Sequence, residues 1–214
     1  MTTPIRNEAD IEAALAALLV RDPRLKDVLA VAGEVPIRRR DGGLEGLMRI
    51  IVGQQLSTAS AEAIWGRLRG AYKPFHHTVL RRARAPKLQR VGLSAGKIRT
   101  IRAIVEAIEQ GAIDFDALVD MPADEAHAML TAVHGIGRWT ADLYLLSCLG
   151  HPDAWPAGDL ALQEAARLAF GLKARPTTKE MMPLAEPWRP WRAVAARLLW
   201  SYYRAVKKRE PAPV

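Results

Sequence analysis

Apolar residues in this chain return every three or four positions almost from end to end, and nowhere do β-branched residues alternate with polar ones over the length of a strand. That periodicity confines the chain to helices packed on helices, an all-α fold. The pattern predicts a first helix from about Glu8 to Val20, with Ile11, Leu15, Leu18 and Leu19 on one face, and a second after Asp22-Pro23. A helix carrying Leu44, Leu47, Ile50 and Ile51 breaks at Gly53-Gln54-Gln55, and Ser57 caps the next, which runs to about Leu68. Ser94 caps a helix over about 95–110 with Ile98, Ile101, Val105 and Ile108 facing inward. Further helices are expected from Pro122 to near Thr131, from after Gly137 to Leu149, and over about 160–170, 178–186 and 190–206.

Composition narrows the partners. Lys and Arg number 31 against 23 Asp and Glu, a formal charge of +8 that favours a polyanion without saying which. The one cysteine, Cys148, lies in the apolar run Leu143–Leu149 and reads as a buried hydrophobe; a multi-cysteine zinc or iron–sulfur site built from this chain is excluded. No secretory h-region follows Met1 and no stretch reaches the length of a bilayer span, so a soluble, cytoplasmic protein is expected. The five histidines show no metal-ligand spacing.

Two features carry chemistry. Between two predicted helices, His134-Gly135-Ile136-Gly137-Arg138-Trp139-Thr140-Ala141 sets two glycines around one apolar residue. Glycine accepts positive φ and lets backbone approach a ligand, while the following helix offers unpaired N–H groups, so such a hairpin suits one phosphate. Ile136 would pin the hairpin to the core, with Arg138 and Thr140 adding polar contacts. Some twenty residues later the loop Trp155-Pro156-Ala157-Gly158 ends at Asp159, which on position alone reads as a helix N-cap. Arg81, Arg82, Arg84, Lys97 and Arg99 form either a phosphate-tracking surface or, by default, a solvated basic face.

The run from Gly135 to Ala141 resembles the hairpin of the helix-hairpin-helix DNA glycosylases, in particular the bacterial 3-methyladenine DNA glycosylase II group. Three other segments fall in that family's order: Ile51–Ser57 resembles the helix break that carries the DNA-inserting residue, Trp155–Asp159 the loop ending in the family's aspartate, and Trp188–Arg192 the start of its C-terminal helix. The resemblance implies one glycosylase domain over 1–214, with helical subdomains at about 44–150 and at 1–43 plus 151–214 flanking a DNA-binding cleft, and without the additional N-terminal mixed α/β domain of the bacterial enzyme. It implies Asp159 as the catalytic carboxylate, Trp139 and Trp200 as walls of the base pocket, and Gln55, with Gln54 beside it, as the inserted residue. Gly135, Ile136, Gly137, Arg138 and Thr140 become the phosphate-binding hairpin. Trp139 stands where bifunctional relatives place a nucleophilic lysine, which implies a monofunctional hydrolase. Gln55, Leu143 and Ser201 depart from the bacterial group, which has leucine, tyrosine and tyrosine there.

The activity so implied is base-excision repair by hydrolysis of the N-glycosidic bond of alkylated purines such as 3-methyladenine and 7-methylguanine. No metal or cofactor is expected, save that the carbonyls of Thr131, Val133 and Ile136 offer a place for a monovalent cation. The expected partner is double-stranded DNA containing damaged bases, bound by a monomer, nucleoid-associated if the source is bacterial. The rival readings are a glycosylase for a deaminated or oxidised base and a non-catalytic helix-hairpin-helix DNA-binding module.

Overall fold

The computed structural model describes residues 3–209, and the described residues form helices and loops with no strand. Contacts divide them into two units: one holds the residues up to Arg39 together with those from Gly150 onward, the other holds Arg40–Leu149. No helix among the described residues is long and apolar enough to cross a membrane.

The first unit opens with α1 (Glu8–Arg21), which starts where it does because Asn7 and Asp10 form a capping box, each side chain accepting the other's backbone N–H. Its buried residues are Ile11, Ala14 and Leu18, with Leu15 and Leu19 half-buried, so the inward stripe is narrower than the leucine pattern suggests. Asp22 ends α1 and precedes α2 (Leu25–Ala32).

The second unit runs through α3 (Gly43–Gly53), α4 (Thr58–Ala71), α5 (His77–Arg81), α6 (Ala85–Arg90), α7 (Ala95–Glu109), α8 (Ala117–Asp120), α9 (Ala123–Thr131) and α10 (Arg138–Tyr144). A wide π turn at Leu145–Leu149 follows. Ser57 and Ser94 cap α4 and α7 as expected, accepting the N–H groups of Ser60 and Lys97. The inward stripe of α7 is Ile98, Ile101, Ile104 and Val105, with Ile108 only half-buried. α5, α6 and α8 span four to six residues each, too short for an apolar period to show in the sequence. The expected single helix from Gly137 to Leu149 is instead α10 and the π turn, which buries Cys148 among Leu145, Leu146 and Leu149.

The chain then returns to the first unit with α11 (Leu160–Ala169), α12 (Thr178–Ala185), a single 3-10 turn at Glu186–Trp188 and α13 (Arg192–Arg209). Trp188 is fully buried, meets Trp155 edge to face with ring centroids 5.6 Å apart, and donates its indole N–H to Asp22 at 2.9 Å. Burying an aromatic of this size stabilises by about 2–3 kcal/mol. Asp22 also accepts from Arg24, whose guanidinium holds its carboxyl below the ordinary value despite the opposing effect of burial. Asp153 does for the loop before α11 what Asp22 does for α1: its carboxylate takes both Nε and Nη2 of the buried Arg192, at 2.8 and 2.9 Å, and Pro152 accepts the Ala193 N–H at 2.9 Å. The loop carrying Asp159 is thereby fastened to the start of α13.

Candidate active site

In the second unit the hairpin lies between α9 and α10, and its two glycines do different things. Gly135 has φ +86°, and a Cβ there would lie 1.9 Å from the Thr100 Oγ1 of α7, so no other residue fits without displacing α7 or the hairpin. Gly137 has an ordinary φ of −81° as the residue before α10, and a Cβ on it would meet nothing within 4 Å. The protein's own packing therefore demands Gly135, while Gly137 leaves bare backbone at a helix start whose first N–H groups no side chain caps. Ile136 is buried between them, Arg138 is exposed and Trp139 is half-buried. Of the three carbonyls considered for a monovalent cation, that of Val133 accepts the Ile136 N–H at 3.0 Å, which leaves its second lone pair for a cation.

Thr140 corrects the sequence reading. It is 2 % exposed, and its hydroxyl accepts the side-chain amide of Gln54 at 2.8 Å, so it does not present itself to a phosphate. The contact ties the helix break after α3 to the first turn of α10. It also corrects the grouping of the two glutamines, because Gln54 is occupied inward whereas Gln55 is exposed and held at φ +55°. A residue with a Cβ in that region is strained unless its surroundings enforce it.

The enforcing group is one that the sequence reading placed elsewhere. Lys97, at the start of α7, donates its ammonium to the carbonyls of Val52 at 2.7 Å and Gln54 at 2.9 Å, closing the end of α3. Burial lowers the Lys97 pKa. It is a cap for the break that presents Gln55, rather than a member of a phosphate-tracking face. Arg81, also on that face, pairs with Glu109 at 3.0 Å. The signal for Lys97 was absent from the sequence because the carbonyls it caps lie more than forty residues before it.

In the first unit Asp159 is both a cap and a candidate catalyst. Its Oδ1 accepts the Leu162 N–H at 2.8 Å, fixing the carboxylate at the N-terminus of α11, and the same oxygen accepts the indole N–H of Trp200 from α13 at 3.0 Å. Two donors from separate helices leave the carboxylate little freedom. The approach is equally tied: the Asp159 N–H reaches Pro156 at 2.9 Å, and the buried Gln163 donates to Ala157 at 2.9 Å. Trp155 donates its indole N–H to Met181 at 3.1 Å. Trp200, expected as a pocket wall, is half-buried and spends its polar edge on Asp159. Gln163 was not anticipated, since a glutamine within an amphipathic helix carries no distinguishing pattern.

A glycine hairpin leading into one helix and a tethered carboxylate capping another, in an all-helical chain, define a protein of the helix-hairpin-helix class. Residues 48–190 match the HhH-GPD superfamily of base excision DNA repair proteins, and the chain belongs to that family. Among known proteins it is 34% identical over 204 residues to a Mycobacterium tuberculosis protein named as a probable bifunctional transcriptional activator/DNA repair enzyme AlkA, covering 91% of this chain but 40% of that one. The chain thus spans less than half the length of that relative. A solved DNA-3-methyladenine glycosidase from Bacillus halodurans superposes with a TM-score of 0.82 at 30% identity, over 92% of this chain and 91% of its own. The 3-methyladenine DNA glycosylase Mag1 of Schizosaccharomyces pombe, solved in complex with abasic DNA, gives 0.80 at 28% identity over 88% and 95%.

Proposed function

We propose that this chain is a monofunctional DNA glycosylase that hydrolyses the N-glycosidic bond of alkylated purines, 3-methyladenine and 7-methylguanine among them, in double-stranded DNA. The observation that carries the reading is Asp159, held by its own helix and by the Trp200 indole at the end of the family's loop. Breaking the bond between C1′ and the base nitrogen sends the bonding electrons to the base and builds oxocarbenium character on the deoxyribose. A fixed carboxylate opposes that charge without reorganising, and it takes the proton that the attacking water gives up as its oxygen joins C1′. An alkylated purine already carries positive charge and departs neutral, so no strong general acid is required.

The remaining groups take roles that fit. Gly137 and the uncapped start of α10 receive a backbone phosphate, with Arg138 beside it and the three hairpin carbonyls as the place for a monovalent cation whose charge would strengthen that contact. Gln55, exposed and conformationally fixed, fills the space that an extruded nucleotide leaves. Trp139 faces the cationic base, an attraction worth roughly 0.5–2 kcal/mol per contact. The test is incubation with methylated DNA and identification of the bases released, beside duplexes carrying deaminated and oxidised bases. Release of methylated purines is the expected result. Release of only another lesion would replace the substrate, and release of none with DNA binding intact would leave a binding module.

A further inference from the structure

The second half of α4 carries two glycines, Gly66 and Gly70, four residues apart and therefore on one face. Both are exposed, and a Cβ on either would meet nothing within 4 Å. Glycine destabilises a helix relative to alanine, and here, unlike at Gly135, no neighbour in the protein requires it. The two glycines border a groove of about 700 Å³ in the second unit, whose apolar lining is Trp65, Tyr72, Pro74 and Phe75. Trp65 and Phe75 meet edge to face with ring centroids 5.2 Å apart, which fixes the shape of that lining. Tyr72 is 5 % exposed, and its buried hydroxyl has no hydrogen-bond partner among the described residues.

The charge around the groove is predominantly positive. From 63 to 105 the chain contains no Asp or Glu, while Lys and Arg recur throughout. The one carboxylate lining the groove, Glu45 of α3, is held by Arg69 at 3.1 Å. Lys73 also lines the groove and is exposed, and the Lys87 ammonium lies 4.6 Å from the centroid of the Tyr72 ring while donating to the Ala71 carbonyl at 3.1 Å. Neither lysine forms an ion pair among the described residues. An apolar pocket takes an apolar side chain, and lysines beside it favour carboxylates next to that side chain. DNA fits less well, because Arg69 is already paired and Trp65, 8 % exposed, offers no open ring face on which a base could stack. A second copy of this chain would bring a formal charge of +8 to a surface of the same sign.

We infer that the groove between α4 and residues 72–75 is a docking site for a partner protein, occupied by an acidic peptide segment that inserts one aromatic or proline side chain against Trp65, Pro74 and Phe75. The bare face at Gly66 and Gly70 lets the main chain of the segment approach the backbone of α4, and Lys73 and Lys87 pair with its carboxylates. The site uses no residue of the hairpin or of the Asp159 loop, so it stands or falls independently of the glycosylase reading.

The test selects a displayed library of random peptides on the full chain and measures the recovered sequences, labelled with fluorescein, by anisotropy. Peptides that combine Asp or Glu with an aromatic or proline residue should be enriched. Gly66→Gln with Gly70→Gln fills the groove without changing charge, and Lys73→Glu reverses a charge beside it; each should weaken binding by at least about tenfold. Arg82→Gln with Arg84→Gln, a charge control at exposed positions outside the groove, should weaken it by less than about threefold. The glutamine pair in α4 should melt no lower than wild type by circular dichroism, since glutamine is the better helix former. Were that pair not to fold, Lys73→Glu against the control would decide alone. Absence of such enrichment, or equal losses in the groove and control variants, would overturn the proposal. So would an equal loss of affinity of the α4 pair for a short undamaged duplex, which would give the surface to DNA. A wild-type dimer by light scattering that the α4 pair abolishes would give it to a second copy and overturn the proposal likewise. Release of methylated bases should be the same in wild type and the α4 pair, and a fall in step with peptide binding would contradict a separate docking site.

Discussion

The hairpin before α10 and the loop before α11 are both glycine-bearing entries into helices, yet they are specified in opposite ways. The hairpin is defined by atoms that are missing: Gly135 gives way to Thr100, and Gly137 leaves backbone uncovered. The loop is defined by atoms that are present, with Trp200, Gln163 and the Leu162 amide each spending a hydrogen bond on it or on Asp159. The difference suits the work proposed for each. A phosphate is met by bare N–H groups and needs room, whereas a carboxylate opposing a transient charge needs to be held still.

Substitutions can break this contrast. The largest effect is expected at Gly135→Ala, where the positive φ and the contact with Thr100 act together, costing about 3 kcal/mol of stability by denaturant unfolding. The contrast fails if that variant unfolds like wild type. Asp22→Asn should cost on the order of 2 kcal/mol at neutral pH, because Trp188 and Arg24 lose their charged acceptor. Its pH dependence has a definite sign. The folded carboxyl sits below its unfolded value of 3.8, so the stabilisation is complete above that pH and disappears as pH falls through the folded pKa. The variant's acid limb should accordingly be shallower than that of wild type, as read by unfolding from pH 5 to pH 2.

Smaller changes sharpen the picture. Lys97→Met should cost about 1–2 kcal/mol by uncovering the Val52 and Gln54 carbonyls, and it should loosen the turn that presents Gln55, seen as faster amide exchange there. Trp200→Phe keeps an aromatic ring but removes the indole donor to Asp159, so base release should slow about tenfold, with a stability loss on the order of 1–2 kcal/mol. Gly137→Ala should cost no more than about 1 kcal/mol, well below Gly135→Ala, and still weaken DNA binding. If the two glycines behaved alike in both assays, the division of labour within the hairpin would be wrong.

Much of the helical architecture was legible because capping residues and apolar spacing act locally: Ser57, Ser94 and Asp159 all cap the helices that their positions indicate. What was hidden depends on contacts distant in the chain. Nothing near Lys97 shows that it closes α3, and nothing near Thr140 shows that its hydroxyl turns inward to Gln54. α5, α6 and α8 escaped because one turn is shorter than the period that betrays a helix. At the site the two glycines looked equivalent in sequence, and only the presence of Thr100 beside one of them separates their roles.

The central claim is that Asp159 performs the chemistry rather than merely capping α11. Asparagine in its place keeps an oxygen for the Leu162 and Trp200 donors, so fold and DNA affinity should persist. Single-turnover release of 3-methyladenine and 7-methylguanine from methylated duplex DNA by Asp159→Asn should fall by at least about a thousandfold, the scale on which electrostatic stabilisers of transition-state charge act. Release at the wild-type rate from that folded, DNA-binding variant would contradict the account.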